Sequence, residues 1–171
     1  MRLISFLLNN TACYGAVHGN RVLNLSPIFG AEAPDLKTLI AKKMLAQAAE
    51  ALSKHTPDLI FEDLSLLPVI PNPEKIMCVG LNYHDHVKET GRDLTEKPAI
   101  FSRVNSSQVG HGQDIMRPPE SHRLDYEGEI AIIIGEGGRR ISEADAWKHI
   151  AGYSCYNDGS VRDWQNFTTQ W

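Results

Sequence analysis

The sequence has 171 residues, of which 17 are basic and 21 acidic, so its formal net charge is −4. A chain of this length can bury the core of one domain, or of one domain with a small appendage, and its 42% hydrophobic and 22% charged residues are typical of globular proteins. A mildly acidic protein lacks the basic surface that binds phosphate backbones, so we do not expect nucleic acid as a partner. No apolar run approaches the ~20 residues of a membrane span, and the N-terminus does not match a signal peptide, so we expect no membrane association.

Three cysteines, Cys13, Cys78 and Cys155, lie far apart and form no C-x-x-C pair. An odd, sparse count argues against a disulfide framework and against a zinc cluster. Because cysteine is commonly an interior residue, we expect three buried thiols in a cytoplasmic protein.

Residues 1–70 predict a small N-terminal α+β domain. Two β-rich runs flank His18-Gly19-Asn20, a pattern that indicates a hairpin with a tight turn. Three prolines lie in the six positions from Pro68 to Pro73 and predict an extended connector, because proline fixes φ and removes a backbone donor. We therefore place a domain boundary near residue 70.

A helical region is predicted inside this first domain. Apolar residues recur at three- and four-residue steps between residues 36 and 52, which indicates one amphipathic helix or two short helices broken near Lys42-Lys43. Asp35 suits the start of the region and His55-Thr56-Pro57 its end.

Residues 71–171 predict a mixed unit in which strands dominate. Four segments have the composition of strands: KIMCVG, PAIFSRV, DYEGEIAIIIGEG and GYSCYND. HDHVKET has a helical period, SEADAWKHI is a helix with Ser142 as its cap, and SVRDWQ starts a helix or turn at Ser160. The whole chain is thus predicted to be α+β and mainly β.

Glu127 and Glu129 are the most informative candidates for chemistry. If they lie on one strand, their side chains point to the same face as Ala131 and Ile133, with Cα atoms roughly 6.5–7 Å apart. Two carboxylates at the mouth of a buried surface repel each other, and a divalent cation removes that conflict; hard oxygen ligands favour Mg²⁺, Mn²⁺ or Ca²⁺ over zinc. The alternative is a strand end with two solvated glutamates.

Asp158 supplies a candidate third carboxylate. It ends the otherwise apolar and aromatic strand GYSCYND, at the exit into a loop. Side chains at strand ends are held by a rigid scaffold, which suits a metal ligand. Asp158 could instead cap the next helix, which is a common role for aspartate.

Two further pairs have a three-residue spacing that places both members on one helical face. A carboxylate such as Glu89 beside His86 would orient the imidazole and raise its basicity, as a general base requires; the alternative is a surface pair. Arg162 and Gln165 would project together towards whatever Asp158 binds, and an arginine there could bind a substrate carboxylate.

Taken in order, the segments KIMCVGLNYHDHVKE, PAIFSRVNSS, DYEGEIAIIIG and AGYSCYNDGSVRDWQ resemble the fumarylacetoacetate hydrolase family over roughly residues 74–171. The leader resembles the small N-terminal domain of the family's bacterial members. The resemblance implies a catalytic domain built as a mixed β-sandwich or roll, of which residues 71–171 form the N-terminal portion. It also implies a homodimer.

The resemblance also implies roles for particular residues. Family members bind Mg²⁺, Mn²⁺ or Ca²⁺ through two strand glutamates and one aspartate, which match Glu127, Glu129 and Asp158. The water-activating pair described in the acylpyruvate-cleaving branch matches His86 and Glu89. A metal centre beside a general base is therefore expected.

Substrate-contacting positions of the fumarylacetoacetate-cleaving branch match Arg162 and Gln165, and Arg103 stands where many relatives have a lysine. The implied function is metal-dependent hydrolysis of a C–C bond in a β-diketo or 2-oxo acid of the fumarylacetoacetate, fumarylpyruvate or acylpyruvate type, in the catabolism of aromatic compounds. Two alternatives stay open: a decarboxylase or isomerase of the 2-oxo-hept-3-ene-1,7-dioate type on the same metal site, and an inactive, truncated metal-binding remnant.

Relatives continue beyond the position of Trp171, where a Gly-Lys-x-x-Asp segment contributes an active-site lysine. We expect the sequence to be either a fragment of a longer protein or a truncated form. The family function is accordingly assigned to the full-length enzyme.

Overall fold

The computed structural model describes residues 1–83 and 97–168. These residues form eleven strands and five short α-helices, joined by turns and single turns of 3₁₀ helix. The prediction of a mainly β, α+β chain is therefore confirmed.

The first sheet is built from the N-terminal residues. Its five strands are β1 (Arg2–Leu8), β2 (Thr11–His18), β3 (Arg21–Asn24), β4 (Leu59–Ile60) and β5 (Ser65–Leu66). They are antiparallel and lie in the order β4-β3-β2-β1-β5. The predicted hairpin is confirmed, because β2 and β3 pair directly and the turn between them holds Gly19 at a φ of +60°, a backbone conformation that favours glycine.

Three helices follow β3: α1 (Ser26–Phe29), α2 (Leu36–Ala41) and α3 (Leu45–Lys54). The alternative of two short helices is confirmed, since α2 and α3 are separated by a turn in which Lys43 has a φ of +58°. The predicted boundaries also hold. The Asp35 side chain caps α2 by accepting a hydrogen bond from the Thr38 N–H at 2.7 Å, and α3 ends at Lys54 with the extended residue His55 as its C-cap.

The hydrophobic core lies on both faces of this sheet. One cluster joins the sheet to the helices, and inside it the Tyr14 hydroxyl donates to the Ala33 carbonyl at 2.7 Å. The other cluster lies on the opposite face and contains Ile4, Phe6, Val17 and Val22. Alternation along β1 and β2 sends successive side chains to these two clusters. In the described part of the chain, every buried apolar side chain belongs to residues 4–51.

Removing the α2 cap tests this packing. The substitution Asp35→Ala is expected to lower the free energy of unfolding by about 1 kcal/mol, measured by urea denaturation. Burial raises the pKa of Asp35, but hydrogen bonds from Thr38 and Asn72 and the charge of Lys37 outweigh it, so this pKa lies below its ordinary value of 3.8. The carboxylate therefore stabilises the fold above pH 3.8, and this contribution is lost as the pH falls through the folded-state pKa.

Asp35→Asn is the matched control, since asparagine also caps helices but does not titrate. It should keep most of the stability at neutral pH and lose the acid-dependent part. Equal losses for the alanine and asparagine variants would contradict the capping role.

The remaining strands form three antiparallel pairs: β6 (Ile76–Gly80) with β7 (Ala99–Arg103), β8 (Leu124–Asp125) with β11 (Ser160–Val161), and β9 (Gly128–Ile134) with β10 (Ile150–Asn157). Two helices accompany them, α4 (Glu143–Ala146) and α5 (Arg162–Gln165). Ser142 caps α4 as predicted. The segment HDHVKET lies outside the described residues.

The single strand predicted for DYEGEIAIIIGEG is wrong. The structure divides it into β8 and β9, because the ladder is interrupted at Glu127, whose N–H donates to the Asn157 side chain instead of a backbone carbonyl. The register is the same on both sides of the interruption, with Gly128 opposite Asn157 and Asp125 opposite Ser160. Glu127 therefore lies in the short link before β9, not on the strand itself.

Two of the strand pairs expose one apolar face. Side chains alternate between half-buried and exposed along β6, β7 and β9, and along most of β10. The exposed side chains include Met77, Val79, Ile100, Ile130, Ile132, Ile134 and Tyr153.

The three cysteines are all free thiols. Cys155 is exposed, and Cys13 and Cys78 are only half-buried, so the expectation of three buried thiols is wrong. No helix within residues 1–83 and 97–168 has the length and apolar character to cross a bilayer.

Contacts join the residues on either side of position 70. Lys43 Nζ pairs with Glu136 Oε2 at 2.8 Å, and the Gln113 amide donates to the Leu66 carbonyl at 3.2 Å. The division into residues 1–70 and 71–171 stays a prediction.

Candidate metal and carboxylate-binding site

Two predicted carboxylates meet where β9 begins and β10 ends. The Asp158 N–H donates to the Glu127 carbonyl at 2.8 Å, and the Glu127 N–H donates to Asn157 Oδ1 at 3.0 Å. The first bond joins the two backbones one residue beyond the β9–β10 ladder, and the second joins the Glu127 backbone to a side chain. Glu129 follows on β9, opposite Tyr156.

Asp158 is buried and is held by an arginine from a different strand pair. Its Oδ1 accepts from Arg103 Nε at 2.7 Å and lies 2.6 Å from Arg103 Nη2, and Nη2 also donates to the Gly159 carbonyl at 3.3 Å. Burial raises the pKa of Asp158, and the Arg103 guanidinium opposes that rise. The alternative that Asp158 caps the next helix is wrong, because the residue at the cap position of α5 is Val161.

Glu127 is held by a second arginine, at the start of α5. Arg162 Nη1 donates to Glu127 Oε1 at 2.8 Å and to Gln165 Oε1 at 3.2 Å, and its Nε donates to Asp125 Oδ2 at 2.9 Å. The predicted proximity of Arg162 and Gln165 on one helical face is therefore seen. Glu127 is ion-paired and half-buried, so it is not a solvated strand-end glutamate.

Cys78 and Tyr156 belong to the same cluster, and sequence reasoning missed both. Burial raises the pKa of the Cys78 thiol, the Asp158 carboxylate raises it further, Arg103 lowers it and Glu129 adds a smaller rise. Burial and Asp158 likewise raise the pKa of Tyr156, against the effect of Arg103. The signal available was alternation, since both residues occupy the less exposed face of their strands.

Asp125 was also missed, although it lies in the same DYEGE run as the two glutamates. Arg162 donates a side-chain hydrogen bond to it, which holds the pKa of Asp125 below its ordinary value. Its role is visible only in the structure, because Arg162 lies 37 residues further along the chain.

A buried serine fixes the helix that carries Arg162. Ser121 Oγ donates to the Asp163 carboxylate, at 2.7 Å to Oδ1 and 2.9 Å to Oδ2, and accepts from the Arg123 N–H at 3.0 Å. The Arg162 N–H in turn donates to the Arg123 carbonyl at 3.0 Å. These bonds tie α5 to the loop before β8 and so hold the backbone of Arg162 in place.

The donor set suits a hard divalent ion, because Glu127, Glu129 and Asp158 offer only carboxylate oxygens. As placed, no three histidine, cysteine, aspartate or glutamate side chains of the described residues are arranged to hold an ion. Glu127 and Asp158 are engaged by guanidinium groups instead. His86 and Glu89 lie outside the described residues, and the roles assigned from the sequence stay predictions.

Comparison with known proteins identifies the family. The sequence model of the fumarylacetoacetate hydrolase C-terminal domain matches residues 75–171, the segment that contains both arginine–carboxylate pairs. The chain belongs to the fumarylacetoacetate hydrolase family, and it covers part of the family domain.

Several relatives show what kinds of protein share this fold. The human mitochondrial oxaloacetate tautomerase FAHD2A is 36% identical over 151 residues, which cover 86% of this chain and 48% of the relative. The fumarylacetoacetate hydrolase of Exiguobacterium antarcticum is 29% identical with a TM-score of 0.72, over 98% of this chain and 59% of that one. Maleylpyruvate hydrolase of Sphingobium, solved with manganese(II) and pyruvate, is 26% identical with a TM-score of 0.76, over 95% and 60%. The chain thus spans about half the length of the curated relative.

Proposed function

We propose that this chain supplies the metal- and carboxylate-binding part of an enzyme that interconverts the keto and enol forms of a small 2-oxo dicarboxylic acid. The observation that carries the proposal is the meeting of Glu127 and Asp158 at one strand end, with an arginine bound to each. Carboxylates for a cation and guanidiniums for an anion are the two groups that a charged 2-oxo acid requires.

Glu127, Glu129 and Asp158 would hold Mg²⁺, Mn²⁺ or Ca²⁺. A divalent ion at that position supplies Lewis acidity, which favours the enolate form of a 2-oxo acid. The manganese and pyruvate bound to the Sphingobium hydrolase support both the class of ion and the class of substrate.

The chain's own cationic groups would orient the substrate. Arg162 with Gln165, and Arg103 from the neighbouring strand pair, are proposed to bind its carboxylate groups through charge-assisted hydrogen bonds. His86, with Glu89 orienting it, is proposed to move the proton or to activate water. A homodimer is proposed from the family resemblance.

Tautomerisation is favoured because the human tautomerase is 36% identical, whereas the maleylpyruvate hydrolase is 26% identical. The second candidate is hydrolysis of a C–C bond in a β-diketo acid of the fumarylpyruvate or acylpyruvate type, in aromatic-compound catabolism. It is supported by the similarity to two hydrolases in structure. The two reactions share enolate stabilisation and differ in whether water attacks a carbonyl group.

The test is a metal-dependent assay of the purified protein. Loss of the enol absorbance of oxaloacetate is followed with Mg²⁺ or Mn²⁺, after chelation, and after metal is restored, beside cleavage of maleylpyruvate and an acylpyruvate. We expect oxaloacetate turnover that chelation abolishes and metal restores. Cleavage without tautomerisation would favour the second candidate, metal binding without any turnover would favour the inactive remnant, and turnover insensitive to chelator would contradict the metal site.

A further inference from the structure

We propose that Arg103 and Arg162 compete with the divalent ion for Asp158 and Glu127, so that binding of the ion releases guanidinium N–H groups to the substrate carboxylates. The inference rests on the proposed function, because it requires an ion on those carboxylates. It adds that the metal site and the anion site are one linked system, in which the arginines exchange partners.

Each arginine binds a carboxylate oxygen that the divalent ion would also need. Arg162 Nη1 lies 2.8 Å from Glu127 Oε1, and both Nε and Nη2 of Arg103 lie within 2.7 Å of Asp158 Oδ1. A divalent ion binds carboxylate oxygens at about 2.0–2.6 Å. An ion on either oxygen would therefore lie a few ångströms from a guanidinium of like charge, inside a half-buried cluster where repulsion is weakly screened.

Each arginine also donates to a hydrogen-bond acceptor other than Glu127 or the Asp158 carboxylate, which serves as a second anchor. Arg162 Nε donates to Asp125 Oδ2 at 2.9 Å, and its Nη1 also reaches Gln165 Oε1. Arg103 Nη2 donates to the Gly159 carbonyl. These anchors do not involve Glu127 or the Asp158 carboxylate, so each guanidinium keeps its position when the carboxylate turns to the ion.

Release of the guanidinium groups links binding of the ion to binding of the substrate. Released Nη1 of Arg162 and released Nε of Arg103 are donors suited to a carboxylate. The ion then raises the affinity for a dicarboxylate, and the dicarboxylate raises the affinity for the ion by the same factor. Asp125 is a positioning residue in this scheme, because it acts on substrate only through Arg162.

Manganese affinity distinguishes competition from the general effect of charge. Mn²⁺ is titrated by electron paramagnetic resonance into the protein and into Arg103→Lys and Arg162→Lys. Arg139→Lys is the surface control, because Arg139 is exposed in the loop between β9 and α4. Lysine keeps the positive charge but loses the planar guanidinium, which binds a carboxylate through several N–H groups. If charge alone matters, the Mn²⁺ affinity is therefore unchanged. Competition predicts binding tighter by about threefold to tenfold in both variants, and no change in the control.

A second readout reports the exchange directly. The ¹⁵Nε–¹Hε resonances, assigned with the two lysine variants, are followed on addition of diamagnetic Mg²⁺. We expect the Arg103 signal to shift, because the Asp158 carboxylate turns away from its Nε, and the Arg162 signal to move little, because its Nε stays on Asp125.

The outcomes separate the inference from the function on which it rests. If the unaltered protein binds no Mn²⁺, the metal site of the proposed function is wrong and the competition with it. If it binds Mn²⁺, but the lysine variants bind it no more tightly and the Arg103 resonance does not shift, only the competition is overturned.

Discussion

Asp158→Asn is expected to lower turnover of a 2-oxo acid by about 10²- to 10⁴-fold, because the ion's Lewis acidity is worth several kcal/mol in the transition state and depends on this ligand. Asparagine keeps the shape of the side chain and one carbonyl oxygen but loses the negative charge. The measurements are kcat with saturating Mg²⁺ and the dissociation constant of Mn²⁺, which should rise in parallel with the loss of turnover.

Asp145→Asn is the matched control for this substitution. Asp145 is an exposed aspartate whose Oδ1 also accepts from a cation, Lys148 Nζ at 2.6 Å, but it lies on α4 and outside the proposed site. Its replacement should leave turnover and manganese affinity unchanged. Unaltered turnover and affinity in Asp158→Asn would remove Asp158 from the metal site.

The carboxylates and arginines of this cluster could be proposed as site residues from the sequence, whereas the pairing of each arginine with one carboxylate could not. Glu127, Glu129 and Asp158 stand out because carboxylates are uncommon at the ends of apolar strands. Their arginine partners come from elsewhere: Arg103 lies 55 residues before Asp158, and Arg162 lies 35 residues after Glu127. Such pairings depend on how strand pairs pack together, which local periodicity does not report.

Local features of the fold were predictable where the controlling interaction is itself local. The cap of Asp35 on α2 and that of Ser142 on α4 each involve a residue three positions away. The division of β8 from β9 was not predictable, because the Glu127 N–H is diverted to the side chain of Asn157, 30 residues further along the chain. A strand pattern predicts extended backbone but not the point at which the ladder of backbone hydrogen bonds is interrupted.

The run IAIII in β9 shows that the burial of a strand's second face could not be predicted from the sequence. A strand that is apolar on both faces predicts burial on both sides. Ile133 is half-buried as expected, but Ile130, Ile132 and Ile134 are more than half exposed. Burial of the second face depends on what packs against it, and the sequence of the strand carries no information about that.

Because the buried apolar side chains of the described residues all belong to residues 4–51, a substitution among them is expected to have the second large effect, a loss of stability. Phe6 is fully buried, in a cluster with Ile4, Val17 and Val22. Phe6→Ala is expected to lower the free energy of unfolding by about 3–5 kcal/mol, because it removes a large side chain from a site that relaxes only partly. Urea denaturation followed by circular dichroism measures the loss, and Phe6→Leu provides a milder variant if the alanine protein does not fold.

Ile132→Ala is the control for Phe6→Ala, because it truncates an exposed apolar side chain. Ile132 is 53% exposed on the outer face of β9, so its truncation should cost less than about 1 kcal/mol. A loss for Ile132→Ala as large as that for Phe6→Ala would show that the outer face of β9 is covered in solution. The difference between the two losses therefore measures how much more stability depends on the buried Phe6 side chain than on the outer face of β9.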